Sequence, residues 1–198
     1  MRRIIGVTGP SGAGKGLFCS YLAEWGCTVI DCDKIARTVT KRGSDCLAEL
    51  AKAFGAEILT KDGRLNRRKL ASIAFSDPKK TELLNQITHP PILKIIDDKI
   101  KKAKSTVALD APLLFEGGLD AVCDIVVVIE ADEETRLDRI MARDRLTREA
   151  AVTRLKAKKP LERTTKMRYY RNNGTKTQLR AFAREVFESI SSIHRLEQ

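Results

Sequence analysis

The segment GPSGAGKG, residues 9–16, has the residue types and spacing of a phosphate-binding loop. Loops of this kind read Gly-x-x-x-x-Gly-Lys and end in Ser or Thr. The glycines let backbone N–H groups turn toward phosphate oxygens, and the lysine reaches the β- and γ-phosphates. Gly16 departs from the pattern, because it stands where a hydroxyl would hold Mg²⁺. The residues predicted to bind a nucleotide are Ser11, Gly12, Ala13, Gly14, Lys15 and Gly16.

Three aspartates come directly after apolar runs that predict buried strands. Asp31 and Asp33 belong to DCD, and Asp110 ends TVALD. In a parallel sheet the carboxyl ends of the strands lie at one edge, where ligands collect. We therefore expect these carboxylates to lie near the loop, at the edge where ligands collect.

Short apolar runs alternate with helical patterns along most of the chain. Near-continuous Val and Ile runs are typical of a parallel sheet covered by helices on both faces. The loop follows the first run and opens a helix, which is the expected context for phosphate binding. The predicted fold is therefore α/β, of the P-loop NTPase type. The predicted strands are residues 3–8, 27–31, 106–110, 124–130 and a weak last one in 167–174.

The region between the second and third predicted strands is mostly helical and too long for one crossover. KDGRLN, residues 61–66, predicts a turn. The prolines of HPP, residues 89–91, are expected to break a helix, because proline lacks the N–H that continues one. We expect a small inserted helical subdomain here.

The net charge of +11 lies entirely in one C-terminal segment. Residues 136–180 contain 15 Lys or Arg and 4 Asp or Glu, so the remainder is neutral. Such a surface faces anions, either phosphorylated metabolites or nucleic acid. There is no apolar run of about eighteen residues, so we predict no membrane contact. The five cysteines lack metal-like spacing, so we predict reduced thiols and a cytoplasmic protein.

Four further segments, in order, give a resemblance to a known family. They are DCDKIAR, DGRLNRRKLASIAFSD, LLNQITHPPI and LDAPLLFE. With the loop, they make the chain resemble the dephospho-coenzyme A kinases. The resemblance implies transfer of the γ-phosphoryl group of ATP to the ribose 3′-hydroxyl of dephospho-coenzyme A. It also implies one P-loop kinase domain over residues 1–198, with a helical substrate subdomain at about 34–104 and a basic lid at about 139–168.

The same resemblance assigns roles to individual residues. It implies that Asp33 is the base that accepts the hydroxyl proton, while Asp110 and Asp31 hold Mg²⁺. The other implied catalytic residues are Lys15, Arg139 and Arg143. The implied substrate-binding residues are Asp31, Arg64, His89 and Glu116, of which Glu116 could also orient the metal's waters. For His89 a structural role, and for Arg64 a solvated turn, remain open.

Rival functions remain open at this point. Gly16 would suit a degenerate loop that binds nucleotide or coenzyme A and regulates without catalysis. A nucleoside monophosphate kinase would share the core but not THPP or LDAPLLFE. An RNA-binding face could use Tyr169 and Tyr170 for stacking. Because no RNA-reading motif is present, we expect ATP and dephospho-coenzyme A as partners, no nucleic acid, and a monomer or small homo-oligomer.

Overall fold

The computed structural model describes residues 3–155 and 166–196. The chain divides into two compact units. Met1–Asp31 and Ala103–Gln198 form the first, and Cys32–Lys102 form the second. In chain order the helices are α1 (Lys15–Glu24), α2 (Cys32–Val39), α3 (Asp45–Phe54), α4 (Arg67–Ala74), α5 (Pro78–Lys102), α6 (Glu133–Asp144), α7 (Arg148–Leu155) and α8 (Lys176–Leu196).

The first unit contains a parallel sheet, as the apolar runs predict. Within the described residues its strands are β1 (Ile4–Thr8), β2 (Thr28–Asp31), β3 (Val107–Asp110), β4 (Ile125–Glu130) and β5 (Met167–Arg171). Their order across the sheet is β2-β3-β1-β4-β5, and every neighbouring pair is parallel. All the carboxyl ends therefore lie at one edge, next to the loop that follows β1.

The core of the first unit lies between the sheet, α1 and α8. Val and Ile side chains of β1 and β4 pack against Phe18 and Leu22, which are fully buried. Helix α8 is attached through a ring stack in which Tyr170 and Phe182 lie 4.4 Å apart, centroid to centroid. Burial of such apolar surface is the main driving force for folding, so this core holds the sheet edge in place.

The second unit is helical and contains the turn predicted at residues 61–66. A short 3₁₀ helix, Ala56–Ile58, precedes a bridge between Leu59 and Leu65. Helix α4 begins after this turn, and the Asn66 side chain accepts a hydrogen bond from the Lys69 N–H. That contact satisfies one of the N–H groups that lack a partner at a helix start.

The expectation that the prolines of HPP break a helix is wrong. Helix α5 runs from Pro78 to Lys102 and passes through Pro90 and Pro91. Pro91 has no N–H to offer the Ile87 carbonyl, but the Cys46 thiol donates to that oxygen at 3.8 Å. The helix also packs against α2 and α3 and buries Ile96. Tertiary packing thus offsets the destabilisation of the helix by an interior proline, which is about 3 kcal/mol.

Candidate active site

The segment between β1 and α1 forms a tight loop whose glycines cannot be replaced easily. Gly12 and Gly14 have φ of +79° and +106°, in the region that side chains with a Cβ rarely adopt. A Cβ on Gly12 would lie 2.6 Å from the backbone oxygen of Arg136. A Cβ on Gly14 would lie 2.4 Å from Nδ2 of Asn172. The loop therefore packs directly on α6 and on the end of β5.

Two carbonyl groups of the loop, those of Ser11 and Ala13, accept hydrogen bonds from donors outside it. Arg136 Nε donates to the Ser11 oxygen at 3.0 Å, and Asn172 Nδ2 donates to the Ala13 oxygen at 2.8 Å. In a trans peptide the N–H points opposite to the preceding C=O. The amides of Gly12 and Gly14 therefore face away from these donors. Neither amide has a hydrogen-bond partner in the described part of the chain, so both are available to an anion.

Lys15 begins α1 and folds back over the loop. Its Nζ donates to the Gly9 carbonyl at 2.8 Å and to the Pro10 carbonyl at 3.4 Å. The first amides of α1 and the helix dipole add positive potential at the same place. The arrangement is suited to an anion, for which the ammonium group can exchange its carbonyl partners.

Asp31 and Asp110 are brought side by side by the order of the strands. β2 pairs with β3 in a register that places Asp31 opposite Asp110. Directly paired residues of neighbouring strands project to the same face of a sheet. Burial raises the pKa of the Cys19 thiol, Asp110 and Asp31 raise it further, and Lys15 lowers it. All three charges thus act on the Cys19 thiol, which lies one turn after Lys15 in α1.

The two aspartates fit Mg²⁺ as partial ligands. Mg²⁺ takes oxygen donors, keeps several waters and is usually held by one or two carboxylates together with substrate phosphates. The described residues contain no cluster of three or more Asp, Glu, His or Cys side chains that could hold a metal. At Gly16, which is exposed, an added Cβ would meet no atom within 4 Å. This leaves open space where the usual hydroxyl would stand.

Three of the predicted site residues lie in the second unit. Asp33 is exposed in the first turn of α2, two residues after Asp31. Arg64 lies in the turn before α4 with a 76% exposed side chain, and its Nε is 2.8 Å from Asp62 Oδ2. His89 is partly buried inside α5, since the helix continues there. Their roles remain predictions.

The predicted lid arginines contact different partners. Arg139 Nη1 lies 3.5 Å from the Gly12 carbonyl, at the edge of the loop. Arg143 instead donates from Nε and Nη2 to Asp144, at 2.8 and 2.9 Å. Glu116 is exposed in the turns after β3. Within the described chain, neither Arg143 nor Glu116 is hydrogen bonded to the loop.

The predicted lid is only partly described. Helices α6 and α7 form a small helical pair with its own buried cluster of Leu137, Ile140 and Ala151. Arg148 of α7 bonds to Glu134 of α6 at 2.8 Å, and Arg154 pairs with Asp144. Residues 156–165 of the predicted lid lie outside the described residues.

Sequence reasoning missed Asn172. Its only local signal is the pattern NNG after a strand, which predicts a turn. The structure buries Asn172 to 4% exposure and joins it to Ala13, 159 positions away along the chain. A contact over that separation leaves no periodic pattern in the sequence.

A parallel sheet, a glycine-rich loop opening α1, a lysine over that loop and two carboxylates on the neighbouring strands define the P-loop kinase class. The comparisons with known proteins then give the family. Residues 3–178 match the family model described as dephospho-CoA kinase. The chain therefore belongs to the dephospho-CoA kinase family, and it is an ATP-dependent enzyme that phosphorylates dephospho-CoA.

Individual relatives align with this chain over most of their length. The dephospho-CoA kinase of Carboxydothermus hydrogenoformans is 40% identical over 83% of this chain and 82% of its own. A crystal structure from Thermus thermophilus has a TM-score of 0.80 at 31% identity and covers 94% of this chain and 97% of its own. The dephospho-CoA kinase of Campylobacter jejuni has a TM-score of 0.58 at 25% identity, covering 96% and 97%.

Family membership confirms the fold and function expected from the sequence. It does not favour the regulator or the nucleoside monophosphate kinase. Among the helices in the described part of the chain, none is both long enough and apolar enough to span a membrane.

Proposed function

We propose that the family's reaction, ATP-dependent phosphorylation of dephospho-CoA, is carried out in this chain by the loop of residues 9–16 and the aspartates around it. The acceptor is the ribose 3′-hydroxyl. The observation that supports this most strongly is the orientation of the loop. Its Ser11 and Ala13 carbonyls are bound from outside, its Gly12 and Gly14 amides are available, and Lys15 lies over it.

The loop binds the triphosphate of ATP. The amides of Gly12 and Gly14 donate to phosphate oxygens, and Ser11, Ala13 and Gly16 complete the turn around them. Lys15 gives up the Gly9 and Pro10 carbonyls for the β- and γ-phosphates. A preorganised positive environment of this kind stabilises the charge of a transferring phosphoryl group.

Asp110 and Asp31 would hold Mg²⁺ beside the phosphates. When bound, the ion neutralises phosphate charge and orients the phosphate oxygens. Because Gly16 offers no hydroxyl, a water would take the place of that ligand in the open space beside it.

The acceptor is activated by Asp33. Asp33 accepts the proton of the 3′-hydroxyl as the new oxygen–phosphorus bond forms, while ADP leaves with the electron pair of the broken bond. Arg64, His89, Glu116 and Asp31 contact dephospho-CoA. Arg64 can do so at small cost, since its pair with Asp62 is exposed to solvent and exposed ion pairs contribute little to stability.

Arg139 and Arg143 offset charge on the transferring group from the lid. In this role Arg143 exchanges Asp144 for phosphate. The excess of basic residues in 136–180 then serves polyphosphate ligands and needs no nucleic acid.

The protein acts in the cytoplasm as a monomer or small homo-oligomer. Its five cysteines are all buried thiols, which supports a reducing compartment. Burial raises the pKa of Cys27 to about 11, so this thiol stays protonated.

The direct test is to incubate the purified protein with ATP, Mg²⁺ and dephospho-CoA. Mass spectrometry should detect coenzyme A, heavier by one phosphate group, together with ADP. The Lys15→Met variant is the matched control, because it keeps the stem and removes the charge. Binding of ATP without any coenzyme A would overturn the proposal in favour of a regulator.

A further inference from the structure

Asn172 is one of three buried polar residues among those described, and it lies against the loop. The others are Thr8 and Thr40. Its backbone N–H donates to the Glu130 carbonyl at 2.7 Å, which ties it to the end of β4. Its side-chain Nδ2 donates to the Ala13 carbonyl at 2.8 Å. A carbonyl only accepts, so the amide nitrogen must face the loop.

This contact acts on the peptide bond between Ala13 and Gly14. That bond is prone to rotate as a unit, because glycine accepts positive and negative φ with similar ease. In one orientation its N–H faces the side where phosphate would bind. In the flipped orientation the carbonyl faces that side and repels an anion. The hydrogen bond from Asn172 holds the carbonyl away.

We infer that Asn172 is a positioning residue for phosphate binding: it fixes the Ala13–Gly14 peptide so that the Gly14 N–H points at the triphosphate. This deepens the proposed function and rests on the loop being the ATP site. Gly14 and Asn172 then form a matched pair, since any Cβ at position 14 would collide with the Asn172 amide.

The test uses Asn172→Leu, which keeps the shape of the side chain and removes the donor. Binding of ATP, inorganic triphosphate and adenosine is measured by calorimetry on the full-length protein. Loss of a buried hydrogen bond should weaken the binding of ATP and of triphosphate roughly ten- to hundredfold. Adenosine affinity should change less than twofold, because adenosine makes no phosphate contact.

The neighbouring Asn173 supplies the control. Asn173 is exposed, and its side chain accepts from the Asp132 N–H at 2.9 Å rather than touching the loop. Asn173→Leu should bind ATP and triphosphate as the unchanged protein does. An equal loss in both leucine variants would contradict a specific role for Asn172.

A second variant guards against misfolding. Asn172→Asp keeps the size and polarity of the side chain but places an acceptor against the Ala13 carbonyl. Its affinity for triphosphate should therefore fall at least as much as that of Asn172→Leu. If either variant melts like the unchanged protein and still binds triphosphate within twofold, the inference is wrong. Equal losses for adenosine and ATP would also overturn it. If the unchanged protein binds no ATP, the proposed function itself fails.

Discussion

Gly16 is the position at which a single hydroxyl can be restored and its effect measured. The exposed site has room for a side chain, since an added Cβ meets no atom within 4 Å. Replacing one water ligand by a fixed hydroxyl is worth about 1.5–3 kcal/mol, by analogy with hydrogen bonds to charged groups. We therefore expect Gly16→Ser to lower the Mg²⁺ concentration for half-maximal rate by roughly one to two decades.

Gly16→Ala is the matched control for this prediction. Alanine gives at least as large a gain in helix propensity as serine, up to about 1 kcal/mol over glycine, without any oxygen ligand. In magnesium titrations at fixed ATP, the Mg²⁺ concentration for half-maximal rate should fall in Gly16→Ser and stay unchanged in Gly16→Ala. If the serine variant needs as much Mg²⁺ as the unchanged protein, the missing hydroxyl is not the limiting feature of the site.

Asp33 is the residue on which turnover should depend most clearly. Asp33→Asn keeps the shape and removes the base, so the turnover rate should fall by about 10²- to 10⁴-fold. ATP affinity should hardly change, because the proposed contact of Asp33 is with the acceptor hydroxyl. Steady-state kinetics and ATP titration separate the two quantities.

Asp31→Asn serves as the comparison and should lower the turnover rate less than Asp33→Asn does. Near-normal turnover of Asp33→Asn would rule out Asp33 as the base.

The helical pair α6–α7 carries the next prediction. Arg143 is bound to Asp144, and this bond lowers the pKa of Asp144, so the pair persists at neutral pH. If Arg143 moves to the phosphoryl group, it matters most when charge develops in the transition state. Arg143→Ala should then lower turnover roughly ten- to hundredfold, with a smaller change in ATP affinity.

Arg148→Ala is the control within the same pair of helices. Arg148 is exposed and bound to Glu134, as Arg143 is bound to Asp144. The turnover rate of Arg148→Ala should therefore stay within about twofold of that of the unchanged protein. Equal losses of turnover and ATP affinity in Arg143→Ala would show that Arg143 only binds the ground state.

Helices show where local patterns mislead. The strand bounds follow from short apolar runs, and α1 follows from the glycine loop before it. The prolines at 90 and 91 predict a break, yet α5 continues. The reason is not local. The Cys46 thiol donates to the Ile87 carbonyl, which Pro91 cannot bond because it has no N–H, and α2 and α3 pack along the helix.

For the molecule as a whole, the net charge of +11 raises the question of nucleic acid. Of the two tyrosines that could stack on bases, Tyr170 already stacks on Phe182 at 4.4 Å. We therefore expect single-stranded RNA to bind only weakly and only at low salt, as phosphate contacts alone would give.

Fluorescence anisotropy with a labelled RNA across a salt series measures this. Heparin, a polyanion without bases, is the control and should compete as well as RNA does. Micromolar RNA binding that persists at about 0.15 M salt would restore the nucleic-acid interpretation.

The sequence by itself determined the loop, the strands, the charged segment and the family, because each depends on residue type at short spacing. It did not determine how distant residues meet. Asp31 lies beside Asp110 only because β2 pairs with β3, and Asn172 reaches the Ala13 carbonyl only because the fold brings together residues 159 positions apart. Strand order and packing come from burial of the whole core, which no local pattern encodes.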